Sequence, residues 1–245
     1  MTRRLDGRKI VITGAASGMG KDIAQLFGSE GAMLFLLDRD AAGIDTVAAP
    51  LGAKGLVCDV TDSRGVENAI GQAAHAMGGI DGIVNAAGIF YAEPFDLLSS
   101  EKWDRMLAVN LTGPANIVRA ALPSLRAADR ATIVNIASVS GLMPMEGTSG
   151  YSASKAGLIM FTRCLGLELG PNIRVNAICP GSVKTEMTRF IWENPEHVER
   201  ASSRVALNRM GEVGDISTVA LFLTTDDSAF MTGAWLPVDG GFAWR

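Results

Sequence analysis

The sequence contains few of the residues that typify secreted, metal-binding or nucleic-acid-binding proteins. Its 245 residues include three cysteines and two histidines. The cysteines are widely separated and never in C-x-x-C spacing, which predicts reduced, mostly buried thiols rather than disulfides. Neither histidine has a partner at ligand spacing, so we expect no metal site. With 22 basic and 26 acidic side chains the formal net charge is −4, which gives no electrostatic basis for binding nucleic acid.

Long apolar runs are also lacking. The N-terminal Arg3 and Arg4 are followed by the charged residues Asp6, Arg8 and Lys9, so the apolar segment of a signal peptide is missing at this point. No apolar run approaches the roughly 20 residues that cross a bilayer. We therefore expect a cytoplasmic protein without a membrane partner.

Glycine, by contrast, is abundant. The chain has 28 glycines without a collagen-like period, and 48% of its residues are hydrophobic against 20% charged. This composition supplies a packed core, and 245 residues lie near the upper limit that one core can organise. Because no repeat, linker or low-complexity tract marks a boundary, we predict one domain over residues 1–245. Some of its turns should need the backbone freedom of glycine.

Apolar and amphipathic segments alternate along the first 178 residues, as is typical of parallel βαβ units. Nearly continuous apolar runs predict strands over 9–13, 33–38, 55–59, 82–86, 132–137 and 173–178. Helical periodicity predicts helices over 20–29, 62–77, 99–125 and 151–169. Since continuous apolar strands suit a sheet covered on both faces, we predict an α/β fold with a doubly wound parallel sheet. Such sheets bind ligands at their strand ends.

Residues 184–210 break this alternation. The segment is amphipathic but polar, lies between two apolar segments, and is too long for an ordinary connection. We predict that it forms a lid over a substrate site.

A glycine cluster follows the first predicted strand directly and opens the first helix. Gly14, Gly18 and Gly20 stand in the spacing G-x-x-x-G-x-G. Glycine allows a tight turn and a close approach to a phosphate, whose charge the helix N-terminus favours. The spacing differs from the common G-x-G-x-x-G fingerprint, and a glycine-rich turn without a ligand is the alternative reading.

Asp38 ends the second predicted strand, 18 residues after Gly20. An acid at about this separation accepts hydrogen bonds from the ribose hydroxyls of NAD and repels the 2′-phosphate of NADP. The alternatives are that Asp38 merely begins a turn, or that the neighbouring Arg39 pairs with a 2′-phosphate. We favour NAD over NADP because of the position of the carboxylate.

Tyr151 and Lys155 lie four residues apart, on one face of a predicted helix. Together with the other motifs, this pair makes the sequence resemble the short-chain dehydrogenase/reductase family over nearly the whole chain. The motifs occur in the order of that family: Thr13-Gly14-x-x-x-Gly18-x-Gly20, Asp59, Asn85-Ala86-Ala87-Gly88, Asn110, Ser138, Tyr151-x-x-x-Lys155 and Pro180-Gly181-Ser182-Val183-Lys184-Thr185. Ala86 departs from the asparagine more common there.

The resemblance implies a Rossmann-like fold and a catalytic tetrad of Asn110, Ser138, Tyr151 and Lys155. Tyr151 would exchange a proton with the substrate oxygen, and Ser138 would hold that oxygen. Free tyrosine has a pKa of about 10, so ionisation near pH 7 requires nearby positive charge, which Lys155 and the oxidised nicotinamide would provide. Lys155 would also bind the nicotinamide ribose, and Asn110 would anchor a water in a proton relay. The alternative is a purely structural role for both residues. Ser138 would then be an ordinary residue at the end of a strand, and Asn110 would have to form its own hydrogen bond with the backbone.

The resemblance and the glycine cluster together assign a larger set of residues to the cofactor. Asp59 and Val60 would flank the adenine ring, while Val183 and Thr185 would hold the carboxamide. The expected cofactor-binding residues are Gly14, Ser17, Gly18, Met19, Asp38, Asp59, Val60, Asn85, Ala86, Ala87, Gly88, Tyr151, Lys155, Pro180, Gly181, Val183 and Thr185.

The expected activity is NAD-dependent hydride transfer between the nicotinamide and a secondary alcohol or ketone. A polyol dehydrogenase, a reductase of 3-oxoacyl thioesters and a nicotinamide-binding regulator without catalysis are the alternatives. The resemblance also implies a homotetramer formed by the helices at 100–125 and 151–169 and by the C-terminal segment. An uncharged, partly apolar substrate is expected from the candidate lining residues, which are Ile89, Tyr91, Phe95, Leu142, Met143, Met145, Phe190 and Trp192, with Glu93, Glu146 and Thr148 as polar contacts.

Overall fold

The computed structural model describes residues 3–242, so Trp244 and Arg245, at the end of the C-terminal segment that is expected in a tetramer interface, lie outside the described part. The described chain forms one sheet of parallel strands in the order β3-β2-β1-β4-β5-β6-β7. The strands are β1 (Lys9–Thr13), β2 (Met33–Asp38), β3 (Lys54–Val57), β4 (Gly82–Asn85), β5 (Ala131–Ile136), β6 (Ile173–Pro180) and β7 (Trp235–Val238). This order confirms the doubly wound sheet. Successive strands are added on one side of β1 up to β3 and on the other side from β4 onwards, and such sheets bind ligands at this reversal between β1 and β4.

Helices cover both faces of the sheet. They are α1 (Gly18–Ser29), α2 (Ala41–Ala48), α3 (Ser63–Met77), α4 (Ser100–Leu107), α5 (Gly113–Ala127), α6 (Ser149–Glu168), α7 (Arg189–Trp192), α8 (Pro195–Ser202) and α9 (Val213–Thr224). Helix α1 packs against α9, and α3 packs against α5. Successive residues of β1 point to opposite faces, so that Ile10 and Ile12 belong to one buried cluster and Val11 to another. The sheet is therefore buried on both sides, as its continuous apolar strands predict.

The helix predicted over 99–125 is not regular. A π-helical turn at Ala108–Thr112 separates α4 from α5 and contains Asn110. Hydrophobic periodicity does not reveal such an insertion, because the apolar face is continuous through it. π-turns are frequent at functional sites.

Four helices and strand β7 were not among the predicted elements; α7 and α8 lie within the segment over 184–210, and α2 and α9 lie outside it. Helix α2 has only eight residues, and α9 is apolar on nearly all sides with a weak amphipathic pattern. Periodicity arguments fail for a helix with this composition, because they depend on one polar face.

The segment over 184–210 contains a 3₁₀ turn at Glu186–Thr188 followed by α7 and α8. Cys58 and Cys179 are buried as predicted, whereas Cys164 is exposed on α6. No helix within residues 3–242 has the length and apolar character needed to cross a membrane.

Candidate active site

The glycine loop after β1 is held against the chain that leaves β4. Gly14 has φ +66°, and a Cβ at this position would lie 2.6 Å from the backbone nitrogen of Ala87. The Thr13 hydroxyl accepts hydrogen bonds from the backbone N–H groups of Ala86 and Ala87, both at 3.2 Å. Only glycine fits this close approach. The loop therefore reaches the point where the strand order reverses, and α1 begins there at Gly18.

An open cavity lies at this switch point. Eleven of the predicted cofactor residues line it, namely Gly14, Ser17, Gly18, Met19, Asp38, Asp59, Val60, Ala86, Ala87, Gly88 and Thr185. Its further lining residues include Leu37, Arg39, Ile89, Arg105, Val109 and Met187, which the sequence analysis did not assign to the cofactor. The glycine cradle, the helix N-terminus and the elongated set of strand ends fit a dinucleotide.

Six predicted cofactor residues do not line this cavity, namely Asn85, Tyr151, Lys155, Pro180, Gly181 and Val183. Asn85 is buried in β4, where its side-chain N–H donates to Asn135 Oδ1 at 2.8 Å. Pro180 ends β6, Val183 is buried, and Gly181 packs against Asp239. The cofactor contacts of these six residues stay a prediction.

Asp38 occupies the cavity wall at the end of β2. One carboxylate oxygen accepts from Ala16 N–H at 3.0 Å and the other from Asp40 N–H at 3.0 Å. The carboxylate thus joins the glycine loop to the start of α2. Arg39 lines the same part of the cavity.

Asp59, just beyond the end of β3, belongs to a hydrogen-bonded group with Thr61 and Arg105. Its Oδ1 accepts from Thr61 N at 2.9 Å and from Thr61 Oγ1 at 2.7 Å, while Oδ2 accepts from Arg105 Nη2 at 3.0 Å. These bonds outweigh the opposing effect of partial burial and lower the pKa of Asp59 to about 2. The carboxylate is ionised over the whole physiological pH range.

Tyr151 and Lys155 project from the first turns of α6 towards Ser138, which follows β5. The Lys155 ammonium lies 5.8 Å from the centre of the Tyr151 ring and donates to the backbone oxygen of Ile136 at 2.8 Å. Ser138 makes a side-chain hydrogen bond with Tyr151, and the Phe90 ring contacts Tyr151 edge-on at 4.9 Å between ring centres. The structure therefore brings three predicted catalytic residues together.

The protein alone does not lower the pKa of Tyr151 towards 7, as ionisation near neutral pH would require. Burial raises the pKa of Tyr151 to about 12, with the Ser138 hydrogen bond acting in the opposite direction. Burial also lowers the pKa of Lys155 to about 8. Both directions follow from the cost of a charge in a poorly solvated site. In the protein by itself Tyr151 is a neutral phenol, the form that donates a proton.

Asn110 uses its side chain to fix the chain after β4. Its amide N–H groups donate to the Ile89 carbonyl and to Ser154 Oγ, both at 3.0 Å, and its Oδ1 accepts from Ile89 N–H at 2.9 Å. Because Oδ1 has two lone pairs and Ile89 N–H uses one of them, one acceptor position remains. A Cβ placed on Gly88 would lie 3.4 Å from this oxygen and 3.6 Å from Lys155 Nζ, so both polar atoms face the same glycine. Ser154 and Ile89 were not predicted as partners.

The candidate substrate residues are only partly gathered at the site. Ile89 lines the cavity, but Phe95 is 72% exposed and contacts Trp103 edge-on. Met143 and Met145 line a different cavity. Among residues 3–242, no group of three histidine, cysteine or acidic side chains is arranged to hold a metal ion.

The remaining candidate side chains have contacts within the protein. Trp192 donates its indole N–H to the Thr185 carbonyl at 2.8 Å, and Phe190 is exposed. Glu93 pairs with Lys102, which also lies over the Tyr91 ring. These contacts leave the substrate pocket less defined than the cofactor cavity.

Comparison with known proteins identifies relatives over nearly the whole chain. Residues 14–243 match the family model described as enoyl-(acyl carrier protein) reductase. The chain is 39% identical over 247 residues to galactitol 2-dehydrogenase (L-tagatose-forming) of Cereibacter sphaeroides, with 98% of this chain and 96% of that protein covered. It is 37% identical over 246 residues to the 3-oxoacyl-acyl-carrier-protein reductase of Thermotoga maritima, covering 97% and 98% of the two chains.

Solved structures are similar over the full fold. A short-chain dehydrogenase/reductase of Brucella melitensis, described as a glucose/ribitol dehydrogenase, superposes with a TM-score of 0.94 at 33% identity, covering 99% of both chains. A gluconate 5-dehydrogenase of Burkholderia cenocepacia, in complex with NADP and tartrate, gives 0.95 at 30% identity, covering 100% of this chain and 98% of that one.

Proposed function

Because this chain belongs to the short-chain dehydrogenase/reductase family, we propose that it interconverts a secondary alcohol and its ketone with NAD, using Tyr151 as general acid and base. The observation that carries this proposal is the contact of Tyr151 with Ser138, beside the buried Lys155, near the glycine-lined cavity. Acting on CH–OH groups is the activity named for several relatives, among them the galactitol dehydrogenase.

The residues present fit a dinucleotide. Gly14 and Gly18 leave room for the pyrophosphate at the start of α1, and Asp38 and Asp59 offer acceptors to the ribose and the adenine. When bound, the nicotinamide supplies the acceptor or donor of the hydride.

Tyr151 handles the proton of the reacting oxygen. In ketone reduction the neutral phenol donates its proton, and in alcohol oxidation the phenolate accepts one. Ser138 Oγ lies in reach of the same oxygen as Tyr151 and holds it by a hydrogen bond. The Lys155 ammonium lowers the cost of the phenolate, and Asn110 Oδ1 faces the same glycine as that ammonium, which suits a water between them.

We assign the cofactor as NAD rather than NADP. The Asp38 carboxylate keeps two of its roughly four acceptor positions after bonding Ala16 and Asp40, enough for two ribose hydroxyls. A 2′-phosphate at the same place would meet a fixed negative charge. Arg39 supplies a positive charge that favours NADP, and the gluconate 5-dehydrogenase relative is in complex with NADP. Cofactor preference is therefore measured with both NAD and NADP.

Two substrate classes compete. A polyol is favoured by the galactitol dehydrogenase relative, and a 3-oxoacyl thioester by the carrier-protein reductase relative. The net charge of −4 disfavours an acidic carrier protein as a partner. A regulator without catalysis is disfavoured because Tyr151, Lys155 and Ser138 are intact and adjacent.

The segment 184–210 is proposed to close over the substrate. Its 3₁₀ turn contributes Glu186 and Met187 to the rim of the cavity, next to Thr185. Arg189 pairs with both Glu186 and Glu193 and so links the 3₁₀ turn to the end of α7. We expect the segment to close by hinges at its ends.

A homotetramer is proposed from the surfaces left exposed. Helix α6 presents Met160 and Leu167, the latter 86% exposed, and edge strand β7 presents Trp235. Exposed edges and apolar patches commonly pair with another copy. Light scattering should give four times the 25.7 kDa of the chain, and a monomer would refute the assembly.

A panel of secondary alcohols, vicinal diols, polyols and ketones, assayed with NAD and with NADP, tests the function. We expect turnover of at least one alcohol class with NAD as the better cofactor. Absence of turnover with every class in both directions would refute the proposed enzyme, and a strong NADP preference would overturn the role of Asp38.

A further inference from the structure

Arg105 is a cation on the wall of the cofactor cavity to which the proposed reaction gives no role. It lies in α4, one helical turn before Val109, and both residues line the cavity. Its guanidinium reaches the loop after β3 with two bonds, Nη2 to Asp59 Oδ2 at 3.0 Å and Nη1 to Thr61 Oγ1 at 3.1 Å. Arg105, Asp59 and Thr61 therefore form a closed hydrogen-bonded triangle.

The triangle fixes how the Asp59 carboxylate can meet a ligand. An ionised carboxylate has about four acceptor positions. Thr61 occupies two with its N–H and hydroxyl, and Arg105 occupies a third. One position on Oδ2 stays available in a side chain that is 40% exposed and lines the cavity. Because Asp59 is ionised, this position can only accept a hydrogen bond.

Stability alone does not account for this arrangement. The side chains of Arg105 and Asp59 are 35% and 40% exposed, and ion pairs this exposed contribute little to folding. Their geometry instead orders an acceptor in a cavity whose lining also includes the apolar side chains of Leu37, Val60 and Val109. An ordered acceptor beside apolar side chains suits a purine ring that carries an amino group.

We propose that Arg105, with Thr61, is a positioning residue that aims the Asp59 carboxylate at the exocyclic amino group of the adenine. The inference rests on the proposed use of an adenine dinucleotide. It predicts selection of adenine over hypoxanthine, whose oxo group is itself an acceptor and would face the carboxylate oxygen unpaired.

The test compares the binding of NADH and of reduced nicotinamide hypoxanthine dinucleotide, followed by nicotinamide fluorescence. We expect the wild-type protein to bind NADH about tenfold more tightly, as one charge-assisted hydrogen bond provides. Arg105→Gln should reduce this ratio to about threefold or less, mainly by weakening the binding of NADH, because the guanidinium no longer orients the Asp59 carboxylate. Thr61→Val, which removes one donor to Asp59, should reduce the ratio as well and serves if Arg105→Gln folds poorly.

Lys102→Gln is the matched control, since it removes a cation from the same helix whose partner is Glu93 rather than Asp59. Its ratio should stay near that of the wild type. The inference is overturned if Arg105→Gln and Thr61→Val leave the ratio unchanged, whether both dinucleotides weaken equally or neither does, or if the wild type shows no preference. If the wild type binds neither dinucleotide, the proposed function itself fails.

Discussion

The Lys155 ammonium donates to the backbone carbonyl oxygen of Ile136 at 2.8 Å. Helix α6 is thereby tied to the end of β5, the strand that leads to Ser138. The bond orients Lys155 so that its Nζ lies 5.8 Å from the Tyr151 ring. Lys155 thus acts on Tyr151 through its charge rather than by a direct hydrogen bond.

This arrangement predicts how activity depends on pH. Alcohol oxidation needs the Tyr151 phenolate, and the pKa of Tyr151 is raised to about 12, so kcat/KM for oxidation should rise with pH. Lys155 loses its proton as the pH rises through its pKa of about 8. Because the lost charge no longer favours the phenolate, the rise should flatten above pH 8. Ketone reduction, which needs the phenol, should not rise with pH.

The measurement is kcat/KM from pH 6 to 10 in both directions at saturating cofactor. Oxidation that is independent of pH over this range, with hydride transfer rate-limiting, would contradict the assigned role of Tyr151.

Substituting Gly14 and Gly52 by alanine distinguishes the cost of a steric clash from the cost of backbone strain. Gly14 and Gly52 have nearly equal φ values, +66° and +61°, but a Cβ on Gly14 meets Ala87 at 2.6 Å while one on Gly52 meets nothing within 4 Å. Gly52→Ala should cost about 1–2 kcal/mol of unfolding free energy through strain alone. Gly14→Ala should cost clearly more and abolish dinucleotide binding. Denaturant unfolding and NADH titration of both variants check this, and equal losses of stability would show that the close approach is unimportant.

Asn110→Ala should reduce both stability and activity. It leaves the N–H and carbonyl of Ile89 without their partner, at a cost of about 1–3 kcal/mol, and removes one donor from Ser154 Oγ, which keeps its bond to the Tyr151 carbonyl. Asn176→Ala is the control, because Asn176 is equally buried and bonds Met231 and Ala234 away from the cavity. Both variants should lose stability, but only Asn110→Ala should lose turnover in samples that remain folded. Equal turnover would limit Asn110 to a structural role.

Asp38→Ser should shift cofactor preference towards NADP. The substitution removes the negative charge beside the ribose and leaves Arg39 to meet a 2′-phosphate. We expect the ratio of kcat/KM for NAD to that for NADP to fall at least about tenfold, which corresponds to ~1.4 kcal/mol. An unchanged ratio would place the ribose elsewhere.

The sequence predicts the sheet well because its strands are buried on both faces. Each of the six predicted strands occurs within two residues of its expected bounds, since continuous apolar runs suit strands that are buried on both faces, whereas strand β7 was not predicted. Helix α9 was not predicted, because a nearly all-apolar helix lacks the polar face on which helical periodicity depends.

The site could be predicted only where a motif marks it. The i, i+4 spacing of Tyr151 and Lys155 is local, and the structure brings both to Ser138. The contacts of Arg105 with Asp59 and of Asn110 with Ile89 join residues 46 and 21 positions apart. No local pattern encodes such separations, and the π-turn that carries Asn110 leaves the apolar periodicity intact.

The central claim, that Tyr151 transfers the proton on a dinucleotide-loaded site, is tested most directly by comparing NADH affinity and turnover in Tyr151→Phe. Loss of a general acid and base should lower kcat by about 10²–10⁴-fold. The phenyl ring preserves the packing against Phe90, so the dissociation constant for NADH should stay within about threefold of the wild-type value. Turnover close to that of the wild type, with NADH bound normally, would contradict the account.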